Sequence, residues 1–129
     1  MKDTNTSYIL DASFLAAYLL PDEYNPEVNR YFDRYIANEI TFLAPVLLDY
    51  EILNIIRTAV VSNRLRLEHK DILVNLYQDL AIQTLPINYL EVLNVALIKK
   101  LSIYDASYLW LADKMDIPLL TLDAALKGI

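Results

Sequence analysis

No cysteine occurs in the chain, which excludes disulfide staples, thiolate zinc sites and cysteine nucleophiles. That absence fits a reducing compartment, so a cytoplasmic location is expected. Glycine occurs once, at Gly128, and leaves no material for a long flexible linker. Histidine also occurs once. His69 sits in the charged segment Arg66-Leu67-Glu68-His69-Lys70 and reads as a surface residue rather than a general base. A serine-hydrolase triad built on it has no supporting motif. No apolar run approaches the ~20 residues of a membrane-spanning helix. The polar opening from Met1 to Ser7 does not read as a secretory signal, so none is expected. Basic residues are scarce, 11 against 17 acids for a net charge of −6. Taken alone, that balance argues against a phosphate-binding surface.

What is present is a chain of 129 residues, 56% apolar and 22% charged, which suits one domain over residues 1–129 with a single core. The apolar share is high enough that part of it is expected to face a partner subunit. No repeat, low-complexity tract or domain boundary interrupts it. If four of the acids gather around divalent cations, the remaining charges nearly balance, and the acidic excess no longer opposes a nucleic-acid substrate.

Tyr8-Ile9-Leu10 is a short apolar run ending in Asp11 and predicts a buried strand. A short helix follows from Ser13, a candidate N-cap, to Leu20, where Pro21 stops it. Asn25-Pro26 opens the next helix, along which Val28, Tyr31, Phe32, Tyr35 and Ile36 keep a helical spacing. Residues 40–44 predict a second strand, and Pro45 starts an apolar helix reaching about Ser62. Further helices are expected over 68–80, 89–100 and 105–115, with strands over 82–85 and 118–121 and a last helical turn. Buried strands alternating with helices indicate an α/β fold with a parallel sheet. Such sheets bind ligands at the carboxyl ends of their strands.

Two acids, Asp11 and Asp123, directly follow buried strand candidates. Two more, Glu51 and Asp105, sit in apolar helical surroundings. Charges in such settings are costly unless paired or bound to metal, and few basic residues lie close by. Hard oxygen ligands suit Mg²⁺ or Mn²⁺. Each acid also has a plain structural role: Asp11 and Asp123 as helix caps, Asp105 as a favourable charge in a helix's first turn, Glu51 on a solvated stripe. Asn54 shares Glu51's helix face and is a candidate to support it, whereas Asp49 faces elsewhere. Arg57, Arg64, Arg66, Lys99 and Lys100 read as ordinary surface charge. Most of the ten tyrosines read as core or interface. Phe14, Tyr18 and Tyr50 are candidates to line a groove for a partner helix.

Four stretches together resemble the PIN-domain family, specifically the VapC-type toxin ribonucleases. They are Ile9-Leu10-Asp11-Ala12-Ser13, the segment Pro45 to Arg57 containing Asp49-Tyr50-Glu51, Tyr104-Asp105-Ala106-Ser107-Tyr108-Leu109-Trp110-Leu111-Ala112, and Pro118-Leu119-Leu120-Thr121-Leu122-Asp123. They run in family order along the whole chain, and the block from Tyr104 to Asp123 is the most specific. The resemblance implies a three-layer α/β fold with a short central parallel sheet of about four strands flanked by helices. It implies that Asp11, Glu51, Asp105 and Asp123 hold Mg²⁺ or Mn²⁺, with Ser13 and Thr121 lining the site. It further implies a ribonuclease acting on single-stranded or looped RNA by metal-activated water, leaving a 5′-phosphate and a 3′-hydroxyl. A homodimer and a cognate antitoxin follow from the same likeness, while the lack of a long apolar run leaves no membrane association expected. Family members carry a further strand after the Thr-x-Asp segment, which is expected to be missing or shortened here. Asp116 stands where glycine is common and is expected to alter only a turn.

Two rival α/β enzymes fit less well. A haloacid dehalogenase-type phosphatase places a second acid two residues after the first, and Ser13 stands there. A receiver domain wants an early acid pair and a late strand-end lysine. The remaining alternative is a non-catalytic PIN-fold module for protein interaction or RNA docking.

Overall fold

The computed structural model describes residues 6–127. The expectation for the polar opening therefore lies mostly outside the described residues, as does Gly128. Four strands, β1 (Thr6–Leu10), β2 (Ile40–Pro45), β3 (Gln83–Leu85) and β4 (Leu119–Leu120), form one sheet in the order β3-β2-β1-β4. All three pairings are parallel, with Ile9 opposite Leu43 on one side and Leu119 on the other. Among the described residues seven helices connect and flank the strands: α1 (Ala12–Leu19), α2 (Pro26–Ile36), α3 (Leu48–Val61), α4 (Lys70–Leu80), α5 (Tyr89–Lys99), α6 (Ile103–Met115) and α7 (Ala124–Lys127). The result is the three-layer α/β arrangement expected from the alternation of apolar runs and helical periods. No described helix is long and apolar enough to cross a membrane.

The chain moves outward from β1 through β2 to β3 and then returns to the other side of β1 for β4. The crevice between the ends of β1 and β4 is thus a topological switch point, the place where open α/β sheets bind ligands. Backbone bonds from Ile9 N–H to the Pro118 carbonyl (2.9 Å) and from Asp11 N–H to the Leu120 carbonyl (3.2 Å) close the two strands together. The outer strands are short, with three residues in β3 and two in β4.

Aromatic side chains fill much of the space between α1, α2 and the sheet. Tyr18 stacks on Phe32 with ring centroids 4.1 Å apart, Tyr35 stacks on Phe42 at 4.6 Å, and Tyr31 meets Tyr8 edge-on. Such contacts add about 0.5–1.5 kcal/mol each beyond the area they bury. The Tyr35 hydroxyl donates to the Leu80 carbonyl at 2.6 Å, tying α2 to the end of α4. Phe14 is buried, and Tyr18 is committed to Phe32, so both belong to the core rather than to a partner groove. Tyr50 is exposed.

Several element boundaries differ from the sequence expectation. Asp11, not Ser13, caps α1: its extended backbone and its carboxylate bond to the Phe14 N–H meet the cap's requirements. Pro45 ends β2 instead of opening α3, consistent with its lack of an N–H. A single 3₁₀ turn over Leu67–His69 precedes α4. Ser102 caps α6, placing Asp105 as its third residue and not its first.

The shortage of glycine has a structural consequence. Asn38, Asn63, Ala81, Lys100 and Asp116 all adopt positive φ, between 50° and 63°. Asn and Asp tolerate this conformation, whereas the Cβ of Ala81 and Lys100 does not favour it. Both residues terminate helices, where glycine is the common solution. Ala81→Gly and Lys100→Gly are expected to stabilise the fold by about 0.5–1 kcal/mol each, a net of relieved strain over added chain entropy. Urea unfolding checks this: the midpoint should rise with an unchanged slope.

Candidate metal centre

Asp11 occupies the first position beyond β1 and is almost wholly buried, at 4% exposure. Its Oδ1 accepts hydrogen bonds from the Ser13 hydroxyl (2.7 Å) and the Phe14 N–H (3.0 Å). Its Oδ2 accepts a short bond from the Thr121 hydroxyl. Ser13 Oγ also accepts from the Leu122 N–H at 2.9 Å, and Thr121 Oγ1 accepts from the Asp123 N–H at 2.9 Å. Ser13 and Thr121 therefore cross-link the two lips of the crevice and orient the Asp11 carboxylate between them. Asp123 turns its Oδ1 to the Ala125 N–H at 2.8 Å and so caps α7.

Glu51 lies in the first turn of α3 and Asp105 in the first turn of α6, both part-buried. The Tyr108 hydroxyl donates to Glu51 Oε1 at 2.5 Å. Burial raises the Glu51 carboxyl above the usual range; the Tyr108 bond opposes this, and the charges of Asp105 and Asp11 add to it. Burial likewise raises Asp105, reinforced by Asp123 and Asp11. Burial and the bond to Glu51 push Tyr108 far upward, which keeps it a neutral donor. Asp11 is thus within electrostatic reach of Glu51 and Asp105, and Asp105 within reach of Asp123. The fold brings all four sequence-selected acids to one end of the sheet.

None of the four forms a salt bridge among the described residues, whose ion pairs all lie elsewhere. Nor are three acidic, histidine or cysteine side chains among the described residues already gathered into a ready-made metal cage. Like charges without a cation between them have every reason to stand apart. The donor set nevertheless suits Mg²⁺ or Mn²⁺: it is all oxygen, partly desolvated, and without a protein base to neutralise it. Loosely spaced carboxylates fit an ion that keeps several of its own waters.

Asn54 follows Glu51 by three residues on α3 but is exposed and has no hydrogen bond to any of the four acids. It faces a cavity shared with Ser13. Asp49 accepts from the Tyr77 hydroxyl at 2.6 Å and takes no part in the cluster, as its helix position implied. His69 is exposed. Sequence reasoning missed Tyr108, which it passed over among ten tyrosines. The available signal was its position three residues after Asp105, on the same helix face, inside a run so apolar that its hydroxyl needed a partner.

The crystal structure of PAE2754 from Pyrobaculum aerophilum is similar to this chain, with a TM-score of 0.71 and 26% identity over 96% of this chain and 86% of that one. No protein-family model matches the sequence, and no curated protein does. The likeness to PAE2754 supports the architecture described above.

The raised carboxyls give a pH prediction. A carboxyl with a raised folded-state pKa contributes stability below its ordinary value, 4.5 for Glu51 and 3.8 for Asp105, and loses it as pH rises through the raised one. The metal-free protein should therefore lose stability from these two groups as pH rises above about 4. Glu51→Gln should flatten that fall relative to wild type. Mg²⁺ at a hundredfold excess over its dissociation constant should restore about 2.7 kcal/mol at pH 7. Thermal melts across pH, with and without Mg²⁺, measure both effects.

Proposed function

We propose that this chain is a metal-dependent endoribonuclease of the PIN-domain, VapC type, acting in the cytoplasm on single-stranded or looped RNA. The reading is carried by four carboxylates from four separate segments, without a salt bridge among the described residues, of which Asp105 lies within electrostatic reach of the other three and Asp11 of Glu51. Asp11, Glu51, Asp105 and Asp123 would hold Mg²⁺ or Mn²⁺. Bound there, the ion supplies an activated water and stabilises the leaving oxygen of a phosphodiester.

The protein's own residues set the geometry. Ser13, Thr121 and the Phe14 N–H fix the Asp11 carboxylate so that it does not rotate when the charge beside it changes. Tyr108 holds Glu51 in one orientation against the repulsion of its neighbours. The low exposure of Asp11 limits competing solvent, which strengthens every electrostatic interaction at the site.

In the toxin–antitoxin setting that the family resemblance suggests, the protein would be a homodimer whose site a cognate antitoxin covers. Support for a dimer comes from α5, where Leu90, Leu93 and Leu97 recur along one exposed face, with Tyr89 and Ile98 also exposed. An apolar stripe of this kind on a helix marks an association surface.

Incubation of the purified protein with single-stranded RNA and Mg²⁺ or Mn²⁺ tests the activity. Cleavage giving 5′-phosphate ends is expected, and Asp11→Asn and Asp105→Asn should each lower it by more than about 100-fold with circular dichroism unchanged. Undiminished cleavage by either variant would defeat the assignment. Binding of RNA without cleavage under all metals would indicate a docking module instead. For the dimer, light scattering after Leu93→Lys and Leu97→Lys together should report a monomer where wild type gives twice that mass.

A further inference from the structure

We propose that the cavity between α1 and α3 is a nucleobase subsite, which receives one unstacked base of the RNA beside the acidic centre. The proposal rests on the nuclease reading and locates the origin of its sequence preference. The cavity has a volume of about 290 Å³. Ser13, whose hydroxyl orients Asp11, and Arg64 both line it. Asn54 and Thr58 project into it from α3, one and two turns beyond Glu51, over a helix rise of about 10 Å. A strand whose phosphate lies at the carboxylates would therefore lay a neighbouring nucleotide along this wall.

The lining suits a neutral, flat, hydrogen-bonding ligand. Ala16 and Ile55 offer apolar walls. The side chains of Asn54 and Thr58 have no hydrogen-bond partner among the described residues, so their donors and acceptors are uncommitted. Arg64 donates from Nε to Asp22 (2.9 Å) and from Nη2 to Glu23 (2.7 Å). That double clamp fixes the guanidinium plane and leaves Nη1 without a hydrogen-bond partner among the described residues; unstacked bases stack on such planes. A phosphate is the poorer candidate, because Asp22 and Glu23 already hold the Arg64 guanidinium and repel an anion beside it. A base carries no such charge.

The chemistry also selects among bases. Asn54 presents a donor and an acceptor together, the pair that matches the amino group and ring nitrogen of adenine. Glu23, also lining the cavity, is a pure acceptor suited to an exocyclic amine. Uracil has no such amine. The expected ligand is thus an amine-bearing base, adenine first.

The test uses the full chain with Mn²⁺ and short single-stranded RNAs that differ at one nucleotide beside the cut. Wild type should cleave the adenine substrate about tenfold better than the uracil one. Asn54→Ala and Thr58→Val should each reduce that ratio towards one. Equal cleavage of the two substrates by wild type overturns the subsite, as does a wild-type ratio in both variants, and either result leaves the nuclease reading standing. The Mn²⁺-induced rise in melting temperature is read alongside. Its loss in Asn54→Ala, with the ratio unchanged, assigns Asn54 to the acidic centre and likewise overturns the subsite. No cleavage of any RNA by wild type fails the nuclease reading, and the subsite with it.

Discussion

A buried aspartate at the end of β1 constrains everything around it. Asp11 is taken out of water and offered no basic partner, so its charge must be met by hydrogen bonds. Three donors meet it, and they come from both sides of the crevice: the first turn of α1 and the segment after β4. The same bonds that solvate the carboxylate therefore cap a helix, align β4 beside β1 and set the path of the chain into α7. Removing the aspartate would leave those donors unsatisfied, and removing either hydroxyl would leave the carboxylate under-solvated. Fold and site share these few atoms.

Around this fixed point the protein accumulates negative charge instead of dispersing it. Glu51 and Asp105 arrive on the first turns of helices whose buried residues belong to the core, so packing places them regardless of their repulsion. Positive partial charge at the two helix starts offsets part of the cost. Tyr108 offsets another part at Glu51 alone. The remainder is electrostatic tension held by apolar burial elsewhere.

The layers and strand order of this fold follow from patterns that are local. Runs such as Tyr8-Ile9-Leu10 and Pro118-Leu119-Leu120 mark buried strands, and the spacing of Val28, Tyr31, Phe32 and Tyr35 marks α2. The boundaries were less legible where two residues compete for one role. Asp11 and Ser13 are both good caps, and only the backbone angles at Asp11 decide between them. The four acids could be singled out by their apolar surroundings, yet Tyr108 could not be distinguished from other core tyrosines without knowing what faces it. The same holds for Asn54 and Arg64: their spacing along the chain shows neither the shared cavity nor the clamp by Asp22 and Glu23, because both depend on how α1 and α3 meet.

The brevity of the two outer strands bears on behaviour at high concentration. An unpaired strand edge is a template on which another chain can lengthen the sheet, and aggregation follows when that edge is long and flat. Here an incoming segment would find only three residues on one flank and two on the other. Pairing so short returns too little to offset the entropy of ordering the newcomer. The shortness of both flanking strands thereby limits lateral growth of the sheet.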